Sequence, residues 1–403
     1  MGPKNSDILY PSNMLYFSPI YPLFQVHILD KSEKTHYNQG MKKTIRSWFM
    51  IVCCFLIFII SLLFYLSNPK SKTEKQSITL TNLGFDTAIT FTATCTKKEF
   101  DQYVSLLSKK YTYYNQLFDP YHEYELSNVY TINHQGYHHP VEVDEELIDC
   151  IQIAKEVYDI QSKFDITSGK LLSLWHTYRI EGIEKNEMGL DGLLPSEYEI
   201  QQDINCRGFD KIRIEGNTIE LLDENIQLDL GGIAKGYASQ KVKEALNKAG
   251  CDNGFINAGG NVVLLSSKEQ GWKIGIQNPD ESSSLLEIDT KEDVSIVTSG
   301  DYQRYYTVNG TEYSHIIDPD TGYPATYNRS VTVITKDSSY ADALSTLLFL
   351  LPIDQGLQIV NNLSFDVEVI WIYENGSQTP DYQYKKLKIY CTDPENVSLI
   401  QTQ

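Results

Sequence analysis

The chain lacks the cysteine patterns and the nucleotide-binding motifs that are typical of several large protein classes. Its 403 residues contain seven cysteines, and those beyond the N-terminal apolar run are odd in number and widely scattered. They therefore give neither a disulfide framework nor the spacing of a metal site, and we interpret them as small buried side chains. No P-loop and no dinucleotide-binding GxGxxG motif occurs between a strand and a helix, which excludes the commonest nucleotide-binding folds. The scattered cysteines are Cys95, Cys150, Cys206, Cys251 and Cys391.

Positive charge is also scarce. Lysine and arginine number 34 against 53 aspartates and glutamates, giving a formal net charge of −19. Nucleic-acid binding requires clustered basic residues, so this balance argues against a nucleic-acid partner. Low-complexity segments are few, and the chain is long enough for a large core or two fused subdomains.

One long apolar run is present, from Trp48 to Leu66. At ~1.5 Å per residue it nearly spans a bilayer core of roughly 30 Å. Lys42, Lys43 and Arg46 precede it, and no small-residue cleavage site follows it. We therefore predict an uncleaved transmembrane anchor over 47–67, with residues 1–46 cytoplasmic and the rest of the chain outside the cytoplasm.

The segments on either side of this anchor differ in character. Met41 directly before two lysines has the form of a natural start. Residues 1–40 are then either an upstream extension or a disordered cytoplasmic tail. After the anchor, we predict a polar linker over 68–77 and a folded domain over 78–403.

Hydrophobic periodicity in that domain mixes strands and helices without a regular βαβ alternation. We predict helices over 97–116, 145–164, 234–249 and 339–350, and a β-hairpin over 211–230. Further strands are predicted at 78–81, 87–94, 254–257, 262–265, 272–276 and 331–335. This order indicates an α+β fold rather than a doubly wound sheet.

A glycine pair stands where a strand gives way to a helix, in Asp229-Leu-Gly-Gly-Ile-Ala-Lys-Gly236. Paired glycines allow the backbone to approach a ligand closely. Free amides at the helix start attract an anion, and Lys235 adds positive charge. The alternative is a plain strand–turn–helix junction.

A second motif lies in the predicted helix over 339–350. Asp342 and Thr346 are four residues apart, so they share one helix face, and a carboxylate with a hydroxyl suits a hard cation such as Mg²⁺. Alternatively, Asp342 is an exposed residue in the first helical turn that satisfies free amides.

A third motif contains His315 and Asp318, followed by Pro-Asp-Thr-Gly. His315 could take a proton from a hydroxyl nucleophile. The Asp318 segment is a strong turn signal in its own right. A structural histidine remains the alternative to a catalytic one.

Taken in order, these motifs resemble the FAD:protein FMN transferase (ApbE-like) family over roughly residues 80–390. The resemblance also rests on Asn257-Ala-Gly-Gly-Asn261, Thr298-Ser-Gly-Asp-Tyr302 and Phe164-Asp-Ile-Thr-Ser-Gly169, with Leu174-Trp175. It implies an α+β, T-fold-like arrangement of fused α/β subdomains, FAD as substrate, Mg²⁺ as cofactor and anchoring outside the cytoplasmic membrane.

The resemblance also assigns roles to individual residues. It implies that Gly232, through its carbonyl, Asp342 and Thr346 hold Mg²⁺. For the reaction that it implies, we predict His315, as candidate base, Asp318 and Lys235 to be the catalytic residues. The residues that it implies for FAD binding are Tyr121, Phe164, Asp165, Asp229, Lys235, Thr298 and Ile316.

The function so implied is transfer of FMN from FAD to a Thr or Ser of an acceptor protein through a phosphoester bond, with release of AMP. Two alternatives stay open: an FAD pyrophosphatase and a non-catalytic flavin-binding protein. The acceptor is expected to be another protein outside the cytoplasm. The nearest match in this chain to the acceptor motif that the resemblance implies is Pro324-Ala-Thr326, which lacks the acidic or hydroxyl residue at its start.

Overall fold

The computed structural model describes residues 31–67 and 72–400, in two units that divide after Ser71. In the first unit, helix α1 (Lys31–Ser67) contains an unburied apolar span, Met41–Leu63, with mean hydropathy 2.4. Its length and composition suffice to cross a membrane, although a signal sequence has the same properties. Most of the predicted extension 1–40 and the first residues of the predicted linker, 68–71, lie outside the described residues.

The second unit begins at Lys72. Its helices are α2 (Lys97–Phe118), α3 (Val129–Gln135), α4 (Glu145–Ile160), α5 (Gly169–Glu187), α6 (Glu197–Asp203), α7 (Ala234–Lys248), α8 (Ser338–Phe349) and α9 (Ile353–Val360). Its strands up to the middle of the unit are β1 (Glu74–Leu80), β2 (Ile89–Cys95), β3 (Val141–Glu142), β4 (Ile212–Glu215), β5 (Thr218–Leu221), β6 (Gly254–Ala258), β7 (Asn261–Leu264) and β8 (Trp272–Gln277). The remaining strands are β9 (Ser284–Thr290), β10 (Ser295–Gly300), β11 (Tyr305–Val308), β12 (Thr311–Ser314), β13 (Ser330–Thr335), β14 (Glu368–Tyr373), β15 (Tyr382–Tyr384), β16 (Leu387–Cys391) and β17 (Val397–Leu399).

A nine-stranded sheet organises this unit. Its strand order is β1-β2-β6-β7-β10-β13-β14-β16-β15, and its neighbours pair antiparallel. Smaller antiparallel sheets join β17-β9-β8, β3-β5-β4 and β11-β12. Antiparallel pairing with helices between the strands confirms the α+β prediction and excludes a doubly wound parallel sheet.

The main core contains the buried faces of helices α2, α7 and α8 and residues of the large sheet, including Tyr111, Tyr237, Phe349 and Trp371. A second cluster joins residues of that sheet to the three-stranded sheet β17-β9-β8, and includes Leu286, Ile296 and Ile372. A third, smaller cluster packs α5 against β11 and β12 around Trp175 and Tyr306. This last cluster fixes α5 beside the cleft described below.

Most predicted elements are confirmed, with shifts at their ends. The helix predicted over 97–116 runs to Phe118 and begins at a capping box made by Thr96 and Glu99. The helix predicted over 145–164 ends at Ile160, because Gln161 adopts an extended backbone conformation. The hairpin predicted over 211–230 is limited to β4 and β5.

Helix α5 was not predicted, because the spacing of its apolar residues is weakly helical and no side chain caps its first turn. Its first residue, Gly169, lies against the backbone of Gln227, and a Cβ there would be 2.5 Å from the Gln227 carbonyl oxygen. A tertiary contact therefore fixes where this helix begins.

Candidate functional site

A cleft of about 940 Å³ opens between the start of α7, the end of β10, helix α8, helix α5 and the loop after α2. Segments far apart in the sequence meet there. The predicted site residues that line it are Tyr121, Phe164, Asp165, Asp229, Gly232, Lys235, Thr298, His315, Ile316, Asp342 and Thr346. The structure thus brings together the predicted residues with the exception of Asp318.

The start of α7 forms one wall, where Asp229 accepts a 2.7 Å hydrogen bond from the Gly231 amide. The Ile233 and Ala234 amides donate to the Leu230 carbonyl, and the Gly236 amide donates to Asp342. The helix-start amides that the sequence suggested for an anion are therefore largely engaged within the protein. Positive charge at this wall comes from the Lys235 side chain.

Asp342 is buried, with 3% of its surface exposed, so the expectation of an exposed helical aspartate is wrong. Its Oδ2 atom accepts from the Gly236 amide at 2.7 Å. The start of its own helix is capped instead by Asp337, which accepts from the Ser339 amide. Burial raises the pKa of Asp342, and the Lys235 ammonium and the Gly236 amide oppose that rise.

Thr346 follows Asp342 by one helical turn and contacts the Gly232 segment. A Cβ placed at Gly232 would lie 3.5 Å from the Thr346 hydroxyl oxygen and 2.9 Å from the Phe164 ring. Only a residue without a side chain lets this backbone approach so closely. Ser299, from β10, contacts the same turn, with its hydroxyl 2.8 Å from that of Ser345 and 3.4 Å from that of Thr346.

These contacts bear on whether the site suits Mg²⁺. A carboxylate, a hydroxyl and a backbone carbonyl are oxygen donors of the kind that a hard cation takes. The carboxylate is buried with its pKa raised, so its negative charge is incompletely compensated by the protein. Among the described residues no group of three or more His, Cys, Asp or Glu side chains is placed to hold a metal. The donor set of Gly232, Asp342 and Thr346, however, fits the predicted ion.

His315 lines the cleft in a defined tautomer. Its Nδ1 atom lies 3.2 Å from the Arg304 carbonyl oxygen, which can only accept, so Nδ1 carries the hydrogen and Nε2 keeps its lone pair. Burial, together with Arg304, Lys235 and Arg179, lowers the pKa of His315 to about 3. The imidazole is therefore neutral at physiological pH and has a free nitrogen for accepting a proton.

Asp318 lies apart from the cleft lining. Its buried carboxylate binds the Lys163 ammonium at 2.7 Å and accepts from the Asp320 amide at 3.0 Å. The Gly322 amide donates to the Asp318 carbonyl, and Gly322 has φ +77°. The turn predicted from this segment is thus present, and Asp318 organises it. The geometry offers no support for direct catalysis by this carboxylate.

The remaining predicted FAD residues are fixed by local contacts. Asp165 accepts from the Thr167 amide at 2.9 Å and the Thr167 hydroxyl at 2.6 Å. Thr298 shares a 2.8 Å hydrogen bond with Thr332 on the neighbouring strand. The Ile316 carbonyl accepts from the Ala325 amide at 2.9 Å.

Tyr121 stacks on His176, with ring centroids 4.4 Å apart and planes at 19°. Burial and then the Asp229 carboxylate raise the pKa of the Tyr121 hydroxyl, which stays protonated. Two further cleft residues without a predicted role are Arg179 and Arg304. Arg179 and His176 belong to the unpredicted helix α5, so no motif pointed to them, whereas Arg304 adjoins the Thr298–Tyr302 motif and could have been suspected.

Comparison with known proteins agrees with this arrangement. The ApbE family model matches residues 83–371. The FAD:protein FMN transferase of Klebsiella pneumoniae (strain 342) is 32% identical over 255 residues, covering 62% of this chain and 76% of that protein. The enzyme of the same name from Vibrio cholerae is 31% identical over 237 residues, covering 58% and 68%.

Solved structures share the fold. The ApbE protein of Thermotoga maritima superposes with a TM-score of 0.63 at 29% identity, covering 73% of this chain and 94% of that one. The flavin transferase ApbE of Vibrio cholerae gives a TM-score of 0.62 at 24% identity, covering 79% and 97%. With the family model spanning well over half of the sequence, the chain belongs to the ApbE family, as its motifs predicted.

Proposed function

We propose that this protein is a Mg²⁺-dependent FAD:protein FMN transferase, which attaches FMN from FAD to a Thr or Ser of an acceptor protein and releases AMP. One observation carries the proposal. A single cleft combines three oxygen donors suited to Mg²⁺, a lysine, and a neutral histidine with an unprotonated Nε2. Phosphoryl transfer needs these elements: charge neutralisation, positioning and a proton acceptor.

Gly232, through its carbonyl, Asp342 and Thr346 would hold the Mg²⁺ ion. When bound, the ion supplies charge neutralisation to the pyrophosphate of FAD. The packing of α7 on α8 positions the donors, because the Gly236 amide ties Asp342 to the start of α7.

The chain's own residues carry the rest of the reaction. His315 Nε2 accepts the proton of the acceptor hydroxyl as its oxygen bonds to the FMN-side phosphorus. The bond from that phosphorus to the oxygen bridging to AMP breaks, and AMP leaves with the bonding electrons. Lys235 stabilises the negative charge that develops on the phosphoryl oxygens. Asp318, the third predicted catalytic residue, would act only by holding the turn that follows His315.

The flavin ring would pack against Tyr121, whose orientation is fixed by the stack on His176. Phe164, Asp165, Asp229, Thr298 and Ile316 would complete the FAD site. We further propose that the fused subdomains have a T-fold-like arrangement, and that α1 anchors the catalytic unit on the outer face of the membrane.

The test incubates the purified protein with FAD, Mg²⁺ and an extracytoplasmic flavoprotein encoded nearby. Mass spectrometry of both proteins is combined with chromatography of the nucleotides. Covalent FMN on the acceptor with equimolar AMP supports the proposal. FMN and AMP released without an adduct would identify a pyrophosphatase, and unchanged FAD a binding protein. Stoichiometric FMN on this chain itself would contradict the expectation of a separate acceptor.

A further inference from the structure

Two arginines line the cleft, and in the described part of the chain no carboxylate lies within ion-pair distance of either. Arg179 comes from α5, and Arg304 from the segment between β10 and β11. Among the described residues, neither forms an ion pair within 4 Å, and the Asp86 carboxylate acts on Arg179 only from a longer distance. The chain nevertheless carries a net charge of −19. Unpaired guanidinium groups in a half-buried position are uncommon, because desolvating a charge costs free energy.

The hydrogen bonds of these arginines go to neutral acceptors. Arg179 donates through Nη2 to His176 Nδ1 at 3.0 Å. Arg304 donates through Nη2 to the carbonyl oxygens of Phe85 and Asp86, at 2.8 and 3.2 Å. A guanidinium has five N–H donors, so both groups keep capacity to bind a ligand.

The two positive charges also act on each other and on the candidate base. Burial first and then Arg304 lower the pKa of Arg179, so the pair is mutually repulsive. Both arginines, with Lys235, depress the pKa of His315. These three cations and the imidazole line the same cleft, so an anion bound there would relieve their repulsion.

We propose that Arg179, together with Arg304, binds phosphate oxygens of the flavin dinucleotide on the His315 side of the cleft, and that Arg179 is a further FAD-binding residue. The inference rests on the proposed function, since it takes FAD as the ligand. Arginine suits this role, because its planar group offers paired N–H donors to a phosphate. A phosphate is favoured over an acceptor carboxylate because Lys235, predicted to contact FAD, acts on the same imidazole.

Arg179 also fixes the aromatic pair. Its Nη2 group donates a hydrogen bond to His176 Nδ1. The His176 ring is therefore held in one tautomer while it stacks on Tyr121. Arg179 therefore connects the phosphate-binding end of the cleft to the residues proposed for the flavin ring.

The experiment measures dissociation constants of the full-length protein for FAD, riboflavin and inorganic pyrophosphate by calorimetry, without acceptor. It compares wild type, Arg179→Gln, Arg179→Lys and the control Arg213→Gln, which removes the same charge from an exposed ion pair on β4. Arg179→Gln should weaken FAD and pyrophosphate about 10-fold or more, as expected for one charge-assisted hydrogen bond. Riboflavin, which has no phosphate, should lose far less affinity than FAD, because in Arg179→Gln it is affected only through the hydrogen bond to His176.

Arg179→Lys should recover part of the FAD affinity, and Arg213→Gln should bind like wild type. Equal loss of riboflavin and FAD affinity would overturn the inference, because it would assign Arg179 to the ring stack alone. Unchanged affinity of Arg179→Gln for FAD and pyrophosphate would also overturn it, because Arg179 would then not contact the phosphates. Since binding is read without turnover, a wild type that binds FAD but transfers nothing refutes the proposed function and leaves this inference standing.

Discussion

The carboxylate of Asp342 accepts a 2.7 Å hydrogen bond from the amide of Gly236 and so joins helix α8 to the start of helix α7. From the sequence, Asp342 could either bind a metal ion or satisfy free amides at a helix start. Asp342 does satisfy a helix-start amide, as the structural alternative held, but the amide belongs to a different helix. The same contact holds Asp342 in the cleft wall beside Thr346 and Gly232, so structural and metal-binding roles are compatible.

Asp342→Asn should abolish Mg²⁺-dependent turnover while the protein stays folded. The amide oxygen can still accept from Gly236, so we expect the free energy of unfolding to change by about 1 kcal/mol or less. Turnover should fall on the order of 100-fold or more, since a catalytic metal supplies several kcal/mol. Initial rates across a Mg²⁺ titration, with thermal melts, provide the measurement. The control is Asp354→Asn, in the exposed first turn of α9; normal turnover in Asp342→Asn would refute the metal assignment.

Gly236→Ala should disrupt the site through packing. A Cβ at this position would clash with the Ser338 carbonyl oxygen and with Asp342 Cβ, so α7 and α8 must separate. Such overpacking costs about 1–3 kcal/mol. We expect a lower denaturant midpoint and a weakened response of turnover to Mg²⁺. Gly376→Ala, where a Cβ would contact only the Tyr373 ring at 3.4 Å, is the matched control. Wild-type values for Gly236→Ala would show that the two helices do not need this close approach.

His315 should destabilise the protein in acid. Its pKa is lowered to about 3 in the folded state, against about 6.5 in an unfolded chain. Between these two pKa values the unfolded chain binds more protons at this residue than the folded chain does. The contribution of His315 to the free energy of unfolding is therefore full above pH 6.5 and is lost as the pH falls toward 3. His315→Gln should lose less stability over this range than wild type or the exposed-site control His139→Gln. Denaturant unfolding at pH 7 and pH 4.5 gives the comparison, and parallel losses in all three proteins would contradict it.

The same variant tests the base assignment. His315→Gln should lower kcat by about 10²–10⁴-fold, the range for loss of a general base, with little change in FAD affinity. A kcat near that of wild type would leave His315 with a structural role only.

Tyr121→Ala should weaken FAD and riboflavin to the same extent. Aromatic pairs contribute about 0.5–1.5 kcal/mol beyond buried area, which corresponds to roughly 2- to 12-fold in affinity. This pattern differs from that expected for Arg179→Gln, where FAD and pyrophosphate lose far more affinity than riboflavin. Flavin fluorescence quenching measures both constants, with Tyr198→Ala, at an exposed position on α6, as control. Unchanged riboflavin affinity would place the flavin ring elsewhere.

The anchor proposal concerns where the protein resides. The full-length protein should remain in the membrane fraction after a high-salt wash, and protease added to intact cells should degrade the unit that begins at Lys72. A chain starting at Lys72 should bind FAD as tightly as the full-length protein. Protection from protease in intact cells would put the catalytic unit in the cytoplasm.

The fold class, the family and most of the residues that meet in the cleft could be predicted from the sequence. Strands such as Val331–Thr335 and helices such as α2 carry strong periodicity or caps, and these signals are local. The glycine pair before α7, the Asp342–Thr346 spacing and the His315 segment are likewise readable along the chain, because their chemistry resides in neighbouring residues.

The burial, charge and relative position of these residues depend on contacts between distant parts of the chain. Burial of Asp342 depends on α7 packing against α8, and the position of Asp318 outside the cleft depends on its pairing with Lys163, which is 155 residues away in sequence. Helix α5 brings Arg179 and His176 to the cleft although its own sequence barely signals a helix. These features arise from contacts between distant segments, and a pattern read along one chain cannot supply the distances, burial and charges that such contacts create.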